Sequence, residues 1–481
     1  MSARGGAWLV AGLAALASAG AAGSGAASAP CLRLSRPGIQ VQGDVRVCPG
    51  RYRVADPAER GVLIAAASGT RIDLAGVTIE SGDSVPERYT GIGVASRGVD
   101  GVTVLGGIIR GYRYGVRLEG GRNHQLSGID VSGSRRQLLR STAERTDTAD
   151  RLDSAHPEVF EPYGGGILLR GTTGASVTGT IAHGAQNGIG LIDASATYVA
   201  DNDLSDNSGW AVHLFRSSHN TIARNQAART RRCPAPEADC GAAAILLREA
   251  SDSNVITEND LTGSSIGVLL NGLRPVSRPP VGNLVYRNDA SLALGSAFAE
   301  RGAGAATFLE NRADSAGTGF ELVRASGGTV RGNTVIGARR AGIEVRHGGD
   351  TELEANVLLG APVGIRVTAP DTNAGPSRGF HIDDNMLSGL HQGVVLQRAL
   401  DSRVRGNVFD GVGDGLVVDG AGHGTEVTGN VFLRATGWFI DAPDLAAGGN
   451  YWATPDASRA AARVRGRISV LPWKPASAAG Y

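Results

Sequence analysis

Eleven asparagines recur along this chain at intervals of 20 to 34 residues, and most of the intervals are 22 or 23 residues. A short β-type run such as "GTVRGN" or "TEVTGN" precedes each asparagine, and a Gly with two apolar positions, as in "GIEVR" or "GVVLQ", usually follows 8 to 13 residues later. A fixed period of this length is typical of a solenoid, in which each repeat buries its apolar face only by stacking on its neighbours. The asparagines are Asn202, Asn225, Asn259, Asn288, Asn311, Asn333, Asn356, Asn385, Asn407, Asn430 and Asn450.

Each repeat contains about three β-type segments of three to five residues, separated by turns. Alternating apolar positions place one side of each segment inward and the other outward. The pattern predicts an all-β fold: a single right-handed parallel β-helix solenoid of about fourteen coils with terminal caps. Each asparagine should lie at an equivalent turn, where its amide can bond the amides above and below.

The ends of the chain depart from the repeat. Residues 1–29 have the charge, apolar stretch and small-residue cleavage site of a secretory signal, and the apolar stretch is too short and too rich in Ala and Gly for a membrane span. We expect an N-terminal cap at 30–60, the β-helix at 61–455 and a C-terminal cap or tail at 456–481. The mature protein is then expected to be exported to the periplasm or the extracellular space, as a monomer.

The charges and cysteines restrict the partners further. The 47 basic and 46 acidic residues give a net charge of +1, so no general field attracts nucleic acid or an anionic membrane. Export suits four cysteines, and the short separations favour the pairs Cys31–Cys48 and Cys233–Cys240, although four cysteines allow three connectivities. A zinc site is the competing interpretation, but neither pair is closely spaced with a His.

Over about residues 60–455, the repeated Gly-Ile-x-Leu and x-x-Asn-x segments resemble the right-handed parallel β-helix proteins of the pectin-lyase-like superfamily. The resemblance implies the fold and leaves the activity open. That superfamily includes polysaccharide lyases, polygalacturonase-like hydrolases and mannuronan epimerases. It also includes periplasmic accessory proteins of nitrous-oxide reductase, which have no known catalysis.

Three insertions interrupt the repeat, at about residues 134–163, 229–241 and 271–280. The first two enter the Gly-Ile-x-Leu strand and the third leaves it, so all three should surround the same sheet within five consecutive coils. Insertions carry the individuality of a solenoid. The resemblance implies that a substrate groove lies over this sheet.

Alternation predicts a stripe of polar side chains on the outer face of that sheet. Such a stripe suits an extended polar or acidic polymer, because Arg can clamp a carboxylate with paired hydrogen bonds. The predicted outward residues are Arg117, Glu119, Arg170, His213 and Arg248 with Glu249 beside it, followed in later coils by Glu300, Glu321, Glu344 and Arg346.

The segment "DNSGWAVHLFRSSHN" contains the richest set of candidate groups. His213 can act as acid or base, Trp210 can stack on a sugar, and Arg216 adds a charge. A solvated strand histidine and a tryptophan that fills a gap between coils are the alternatives. The first insertion adds Asp153, His156, Glu161 and Tyr163, or else is only a charged flexible flap.

A lyase or an epimerase needs a cation on the uronate carboxylate, a base and an acid. Arg170 or Arg248 can supply the cation, and His213, His156 or Tyr163 can supply the other two roles. A hydrolase needs two carboxylates, for which Glu249 with Glu161 or Asp153 are candidates. Arg117, Glu119, Trp210, Arg216 and Glu161 are the candidate substrate-binding residues.

Two hypotheses follow. The polar insertions favour a polysaccharide-processing enzyme, whether lyase, epimerase or glycoside hydrolase, acting on a polysaccharide that can be acidic. The absence of the Asp-Pro-His-Asp motif of mannuronan epimerases and of the polygalacturonase motifs favours a non-catalytic periplasmic β-helix, which binds a glycan or assists maturation of a partner. No metal-spaced His cluster or Gly-rich phosphate loop is present, so the sequence predicts no metal and no cofactor.

Overall fold

A computed structural model describes residues 31–152, 162–234, 240–273, 278–371, 373, 375–419 and 424–480. The described chain is a stack of coils whose strands pair in parallel with the strands of the next coil. The predicted signal segment 1–29 lies outside the described residues. A short helix, Ala457–Ala461, and the 3-10 turns Pro86–Arg88, Thr148–Asp150 and Ala476–Ala479 accompany the strands.

Seventeen strands form the longest sheet, which we call the long sheet. It contains the predicted Gly-Ile-x-Leu segments. The strands are Ile39–Val41, Leu63–Ala65, Ile92–Arg97, Tyr114–Glu119, Gly165–Arg170, Asn187–Ile192, Trp210–Phe215, Ala243–Arg248, Val268–Asn271, Ser296–Arg301, Thr318–Val323, Ala341–Arg346, Val363–Thr368, Gln392–Gln397, Asp414–Asp419, Ile440–Ala446 and Val464–Ser469.

Fifteen strands form the second sheet. They are Asp44–Arg46, Arg71–Asp73, Thr103–Leu105, Gln125–Ser127, Ser176–Thr178, Tyr198–Ala200, Thr221–Ala223, Val255–Thr257, Leu284–Tyr286, Thr307–Leu309, Thr329–Arg331, Glu352–Glu354, His381–Asp383, Arg403–Arg405 and Glu426–Thr428. Each strand has three residues. In every strand from Thr103–Leu105 to Thr329–Arg331, the middle residue is buried.

The third face of the stack has regular strands only toward its two ends. Gly50–Arg53, Val77–Glu80 and Ile108–Arg110 form the first part, and single parallel bridges continue it from Ile108 through Asp130 to Arg312 and Thr334. Thr334–Ile336, Val357–Leu359, Met386–Ser388, Val408–Val412, Val431–Ala435, Tyr451–Trp452 and Lys474–Pro475 form the last part, and Ser377–Arg378 pairs separately with Ala399–Leu400.

The predicted asparagine ladder is confirmed across all eleven residues. Each of the first ten donates from Nδ2 to Oδ1 of the next at 2.9–3.1 Å, and its backbone N–H donates to the same oxygen at 2.8–3.2 Å. The residue before each asparagine has a φ between +51° and +78°, so every coil turns in the same way at this point. The amides thereby satisfy the buried backbone of that turn.

A second, shorter ladder was not predicted from the sequence. Asn220 donates to Asn254 at 3.0 Å, and Asn254 donates to Asn283 at 3.1 Å. These asparagines lie at the turn that joins the long sheet to the second sheet, in the coils that carry the insertions. In these coils, stacked amides therefore lie at both ends of the second-sheet strands, since Asn220 precedes Thr221–Ala223 and Asn225 follows it.

The interior of the stack is filled by aligned Val, Ile, Leu and Phe side chains. Phe298 stacks on Phe320 with ring centroids 4.9 Å apart, and Trp452 stacks on Phe432 at 4.8 Å. Both predicted disulfides, Cys31–Cys48 and Cys233–Cys240, are present. The segment expected to form the N-terminal cap contains three strands that pair with the following coil.

The prediction that Glu300 points outward is wrong. Its register partners are Leu270 and Leu322, which belong to the core, and its own exposure is 1%. In "AFAER" the side chain that enters the core is Phe298, so the alternation runs one position away from the one expected. Burial raises the pKa of Glu300 to about 7.

Candidate functional site

The first two insertions contact each other, and the third contacts the end of the long-sheet strand Ala243–Arg248. The N–H of Leu152, in the first insertion, donates to the carbonyl of Cys240 in the second at 2.9 Å, and Ser141 Oγ lies 3.4 Å from Cys233 Sγ. In the third, the Arg278 N–H donates to Glu249 Oε1 at 3.2 Å. The first two insertions are therefore bonded to each other, and the third is bonded to the end of a long-sheet strand.

Arg232 connects the first insertion to the body of the β-helix. Its side chain is 1% exposed and donates to the carbonyls of Asp150 and Ser208 and to the Gln137 side chain. Burial lowers the pKa of Arg232 to about 10, so it remains a cation at neutral pH. A buried cation with three acceptors on three segments fixes the first insertion firmly against the body.

An apolar cluster lies beneath the insertions, on the outer face of the long sheet. Most of its buried members come from the sheet, Leu152 comes from the first insertion, and Tyr163 at the end of that insertion packs against them. Apolar side chains therefore cover the outer face of the sheet at these described positions. The cluster contains Ile92, Ala95, Tyr114, Leu152, Leu168, Ile192, Trp210, Phe215, Ala242, Ala243, Leu246, Ile266, Leu269 and Ala299.

His213 lies inside this covered region. It is on the outer face of its strand as predicted, but it is 1% exposed, and its ring centroid lies 4.5 Å from that of Trp210. Burial, aided by the nearby Arg248, lowers the pKa of His213 to about 3. The imidazole is therefore neutral at physiological pH.

Trp210 and Arg248 are also structural in this arrangement. Trp210 is fully buried and donates from Nε1 to the carbonyl of Gly241 at 2.8 Å. Arg248 is 3% exposed and donates to the carbonyls of Asn271 and Leu273 at 3.3 and 3.2 Å. Each therefore fastens an insertion to the sheet.

The remaining predicted site residues lie around the apolar cluster or outside the described residues. Arg170 is half-buried at the end of the strand that contributes Leu168 to the apolar cluster. Arg117 and Arg97 both donate to Glu119, and although burial opposes it, these arginines hold the pKa of Glu119 below its usual value. Arg216 forms an exposed pair with Asp193. Asp153, His156 and Glu161 lie outside the described residues.

An open groove lies on the same sheet, in the coils that follow the insertions. A cavity of about 550 Å³ has five arginines and two glutamates in its wall, and we call it the arginine groove. It continues into a neighbouring cavity of about 560 Å³ that shares Glu344, Arg346 and Arg366. The charged wall residues of the first cavity are Arg301, Glu321, Arg339, Arg340, Glu344, Arg346 and Arg366.

Glu321 organises the near end of the groove. It accepts hydrogen bonds from Arg301 Nη2 at 2.7 Å, from Ser296 Oγ at 3.1 Å and from Arg346. Burial alone would raise the pKa of Glu321, but Arg301 and Arg346 outweigh it and hold the pKa below its usual value. Glu321 is therefore an ionised clamp that positions two guanidinium groups.

Among the described residues, Arg340 and Arg366 are not held by a carboxylate in the way that Glu321 holds Arg301 and Arg346. Arg340 donates from Nε to the Thr318 hydroxyl at 3.1 Å, and the Arg366–Glu344 separation is 3.9 Å. Arg339, in contrast, caps backbone carbonyls of Ser315 and Leu294 at 2.8 and 2.7 Å. Arg340 and Arg366 are therefore the groove cations whose charge is least satisfied by the protein.

Sequence reasoning reached part of this groove. Glu321, Glu344 and Arg346 were predicted to point outward, but Arg301, Arg340 and Arg366 were not singled out. The observed register places both side chains outward, since Arg301 pairs with Asn271 and Arg366 pairs with Glu344. The alternation expected from the sequence places Glu300 outward and therefore turns Arg301 inward.

Comparison with known sequences and structures agrees with the architecture. The profile of the family described as periplasmic copper-binding protein (NosD) matches residues 99–290, and that of the right handed beta helix region matches residues 238–375. The chain is a right-handed parallel β-helix repeat protein. No curated protein matches it.

Solved structures similar to this β-helix protein have low sequence identity. The periplasmic alginate epimerase AlgG is 14% identical, over 83% of this chain and 76% of that one, with a TM-score of 0.38. PfbA, a surface adhesin of Streptococcus pneumoniae, is 11% identical over 82% and 84%, with a TM-score of 0.43. The Dettilon tailspike is 13% identical with a TM-score of 0.41, and the match covers 73% of this chain and only 60% of the tailspike.

The described residues do not fit a copper centre. Within those ranges, no group of three or more His, Cys, Asp or Glu side chains is arranged to hold a metal ion, and all four cysteines form disulfides. In the same ranges, no helix is long and apolar enough to cross a membrane.

Proposed function

We propose that this protein is an exported β-helix that binds an acidic polysaccharide along the arginine groove. The observation that carries the proposal is the composition of the groove wall, in which five arginines face two glutamates. The excess of three positive charges is local, because the chain as a whole has a net charge of +1. A local excess of guanidinium groups favours carboxylate or sulfate groups on a ligand.

The shape of the groove favours a polymer over a small ligand. The two connected cavities extend along the stack from Ser296 to Asp419 on successive strands of the long sheet. Because adjacent strands lie about 4.8 Å apart, the six strands from Ser296–Arg301 to Asp414–Asp419 span roughly 24 Å along the axis. A glycan chain that follows the axis can therefore present several sugar residues to the groove.

The arginines of the groove are proposed to have two roles. Arg301 and Arg346 are held by Glu321 and give the wall its shape. Arg340 and Arg366 are the proposed contacts for the acidic groups of the ligand, because their charges are least satisfied within the protein. Gln392 and Gln397 in the second cavity supply amides for hydroxyl groups.

Binding is favoured over catalysis by the state of the titratable groups. His213 is buried and neutral, so it is not available as an acid or a base to a polymer in the groove. Glu321 is kept ionised by two arginines, which does not suit a general acid. A lyase or epimerase in the same groove is the alternative, and its candidate carboxylate is Glu344, which lies 3.9 Å from Arg366.

Export is part of the proposal. Two disulfides are stable in an oxidising compartment such as the periplasm or the cell exterior. The predicted signal at residues 1–29 agrees with this location. Cleavage of that segment in a secreting host, read by mass spectrometry of the purified protein, tests the location separately from the ligand.

The proposal is tested by affinity for polygalacturonate and alginate, measured by calorimetry. The double variant Arg340→Gln, Arg366→Gln should weaken binding by about 100-fold, since a hydrogen bond to a charged group contributes about 1.5–3 kcal/mol. Arg434→Gln is the matched control, because Arg434 is an exposed arginine paired with Asp410 on another face. Equal affinity of the double variant and the wild type would reject the groove.

The same mixtures decide between binding and catalysis. Unsaturated product or new reducing ends that disappear in Glu344→Gln would establish the enzyme hypothesis. Tight binding without any product establishes the binding hypothesis. Failure to bind any acidic glycan would reject both.

A further inference from the structure

The outward face of the second sheet has an unusual distribution of charge. Nine consecutive strands, from Thr103–Leu105 to Thr329–Arg331, each point their first and third residues outward around a buried middle residue. The 17 outward positions before Arg331 contain no Asp, Glu, Lys, Arg or His. We call these positions the neutral face.

The strands at the two ends of the same sheet have charged outward residues instead. Asp44–Arg46 and Arg71–Asp73 on one side, and the four strands from Glu352–Glu354 to Glu426–Thr428 on the other, have charged or His residues at every outward position except Thr428. Charged residues make up 19% of the whole chain. Composition therefore does not account for a run of 17 uncharged outward positions between two charged ends.

The neutral face combines hydroxyl groups with apolar carbon. Thr178, Thr221, Thr257 and Thr307 lie on it among Val and Leu side chains, and all four are partly exposed. Tyr198 and Tyr286 are fixed at its edges, because Arg224 donates to the Tyr198 hydroxyl at 2.7 Å and Arg287 lies 4.7 Å from the Tyr286 ring centroid. Hydroxyl groups, apolar C–H surface and aromatic rings are the groups that contact uncharged sugars.

The face is also regular and continuous. Successive strands pair residue by residue in parallel without a register shift between Thr103 and Arg331. Nine strands span roughly 38 Å and three residues about 10 Å, which gives an area of about 400 Å². A second copy of the chain would need about 800 Å² per partner for an interface of standard size. The dimensions suit a long, narrow ligand better.

We infer that the neutral face binds an uncharged polysaccharide whose chains lie along the axis of the stack. This site is separate from the arginine groove and does not rest on the function proposed for it. An acidic ligand is disfavoured here, because none of the 17 positions supplies a cation. The protein would then hold acidic and neutral glycans on two different faces.

The test uses the full chain with microcrystalline cellulose, galactomannan and dextran as probes. At least one of them should bind, and binding should persist in about 0.5 M NaCl, where surface electrostatics are screened. The variant Thr221→Glu, Thr307→Glu should bind more than about ten-fold more weakly, because a sugar would desolvate charges that lack a partner.

Two controls make the result specific. Thr428→Glu places the same charge on the same sheet beyond the neutral face and should leave binding unchanged. Arg340→Gln with Arg366→Gln should also leave it unchanged, which separates this site from the arginine groove. Tyr198→Ala, at an exposed edge position, is the second test variant if the double glutamate variant does not fold.

Three outcomes would overturn the inference. Failure of all three probes to bind is one, and equal binding by wild type and the double glutamate variant is another. The third is self-association of the wild type in sedimentation that the double glutamate variant abolishes, since the face would then belong to an interface between copies of the chain.

Discussion

Arg301 and Glu321 lie on adjacent strands of the long sheet, and Arg301 Nη2 donates to Glu321 Oε2 at 2.7 Å. Glu321 is 7% exposed, so the pair is shielded from water more than a typical surface ion pair. Arg346 holds the other oxygen of the same carboxylate. The groove is therefore built around the Glu321 carboxylate, which is already paired with two arginines. Arg340 and Arg366, farther along the groove, are the arginines proposed to contact a ligand.

This division of roles predicts opposite effects for two arginine substitutions. Arg301→Gln should lower the free energy of unfolding by about 2 kcal/mol, because it removes one partner of a largely buried carboxylate. Arg340→Gln should leave stability unchanged and weaken acidic-glycan binding by about ten-fold. Urea denaturation and calorimetry on the two variants measure both quantities. The reverse pattern would show that the roles have been assigned the wrong way round.

The asparagine ladder should contribute strongly to stability. Asn333 accepts two hydrogen bonds from Asn311 and donates to Asn356 and to the Phe308 carbonyl. Asn333→Ala leaves several buried groups without partners and should cost about 3 kcal/mol. The exposed Asn373→Ala is the control and should have no measurable effect. A loss for Asn333→Ala no larger than the control's would contradict a structural role for the ladder.

The repeat could be predicted from the sequence because the residues that define each coil lie close together in the chain. From Asn202 onward the coils place a buried amide at the same turn, so the eleven asparagines marked those coils directly. The cysteine pairs were readable for a similar reason, since each pair closes a short segment. The ladder of Asn220, Asn254 and Asn283 was missed, because it has only three members and the insertions disturb its spacing.

The candidate site was harder to read, because it depends on contacts that are distant in sequence. Alternation placed His213 on the outer side of its strand, but only the packing of the first two insertions shows that this side is covered. Arg340 belongs to a turn, where alternation gives no direction. A one-position slip of the pattern at Phe298 also reversed the predicted side of Glu300.

Glu300 should make stability fall as the pH rises. Its pKa is raised from 4.5 to about 7 in the folded protein, so the folded state binds the proton more tightly than the unfolded state. The contribution is fully present below about pH 4.5 and is lost as the pH rises through about 7, for a total of about 3 kcal/mol. Glu300→Gln should remove this dependence in urea titrations between those values. An unchanged slope in the variant would exclude Glu300 as its source.

His213 should lower the stability of the folded protein at acidic pH. Its pKa is about 3 when folded, below the ordinary value of 6.5, so the unfolded state takes up the proton first and stability falls as the pH drops below about 6.5. At pH 5 the loss should be about 2 kcal/mol, and His213→Leu should abolish it. The same variant should bind acidic glycans as the wild type does. Loss of binding or of any glycan turnover in His213→Leu, with the fold intact, would restore His213 to the functional site.

The most direct test of the arginine groove changes the ligand and leaves the protein intact. Polygalacturonate and the same polymer with its carboxyl groups reduced to alcohols differ only in charge and in the groups that Arg340 and Arg366 are proposed to contact. Titration of the wild-type protein with both polymers should give an affinity for the acidic form at least about ten-fold higher, and added salt should reduce that difference. Equal affinity for the two polymers would contradict the central claim.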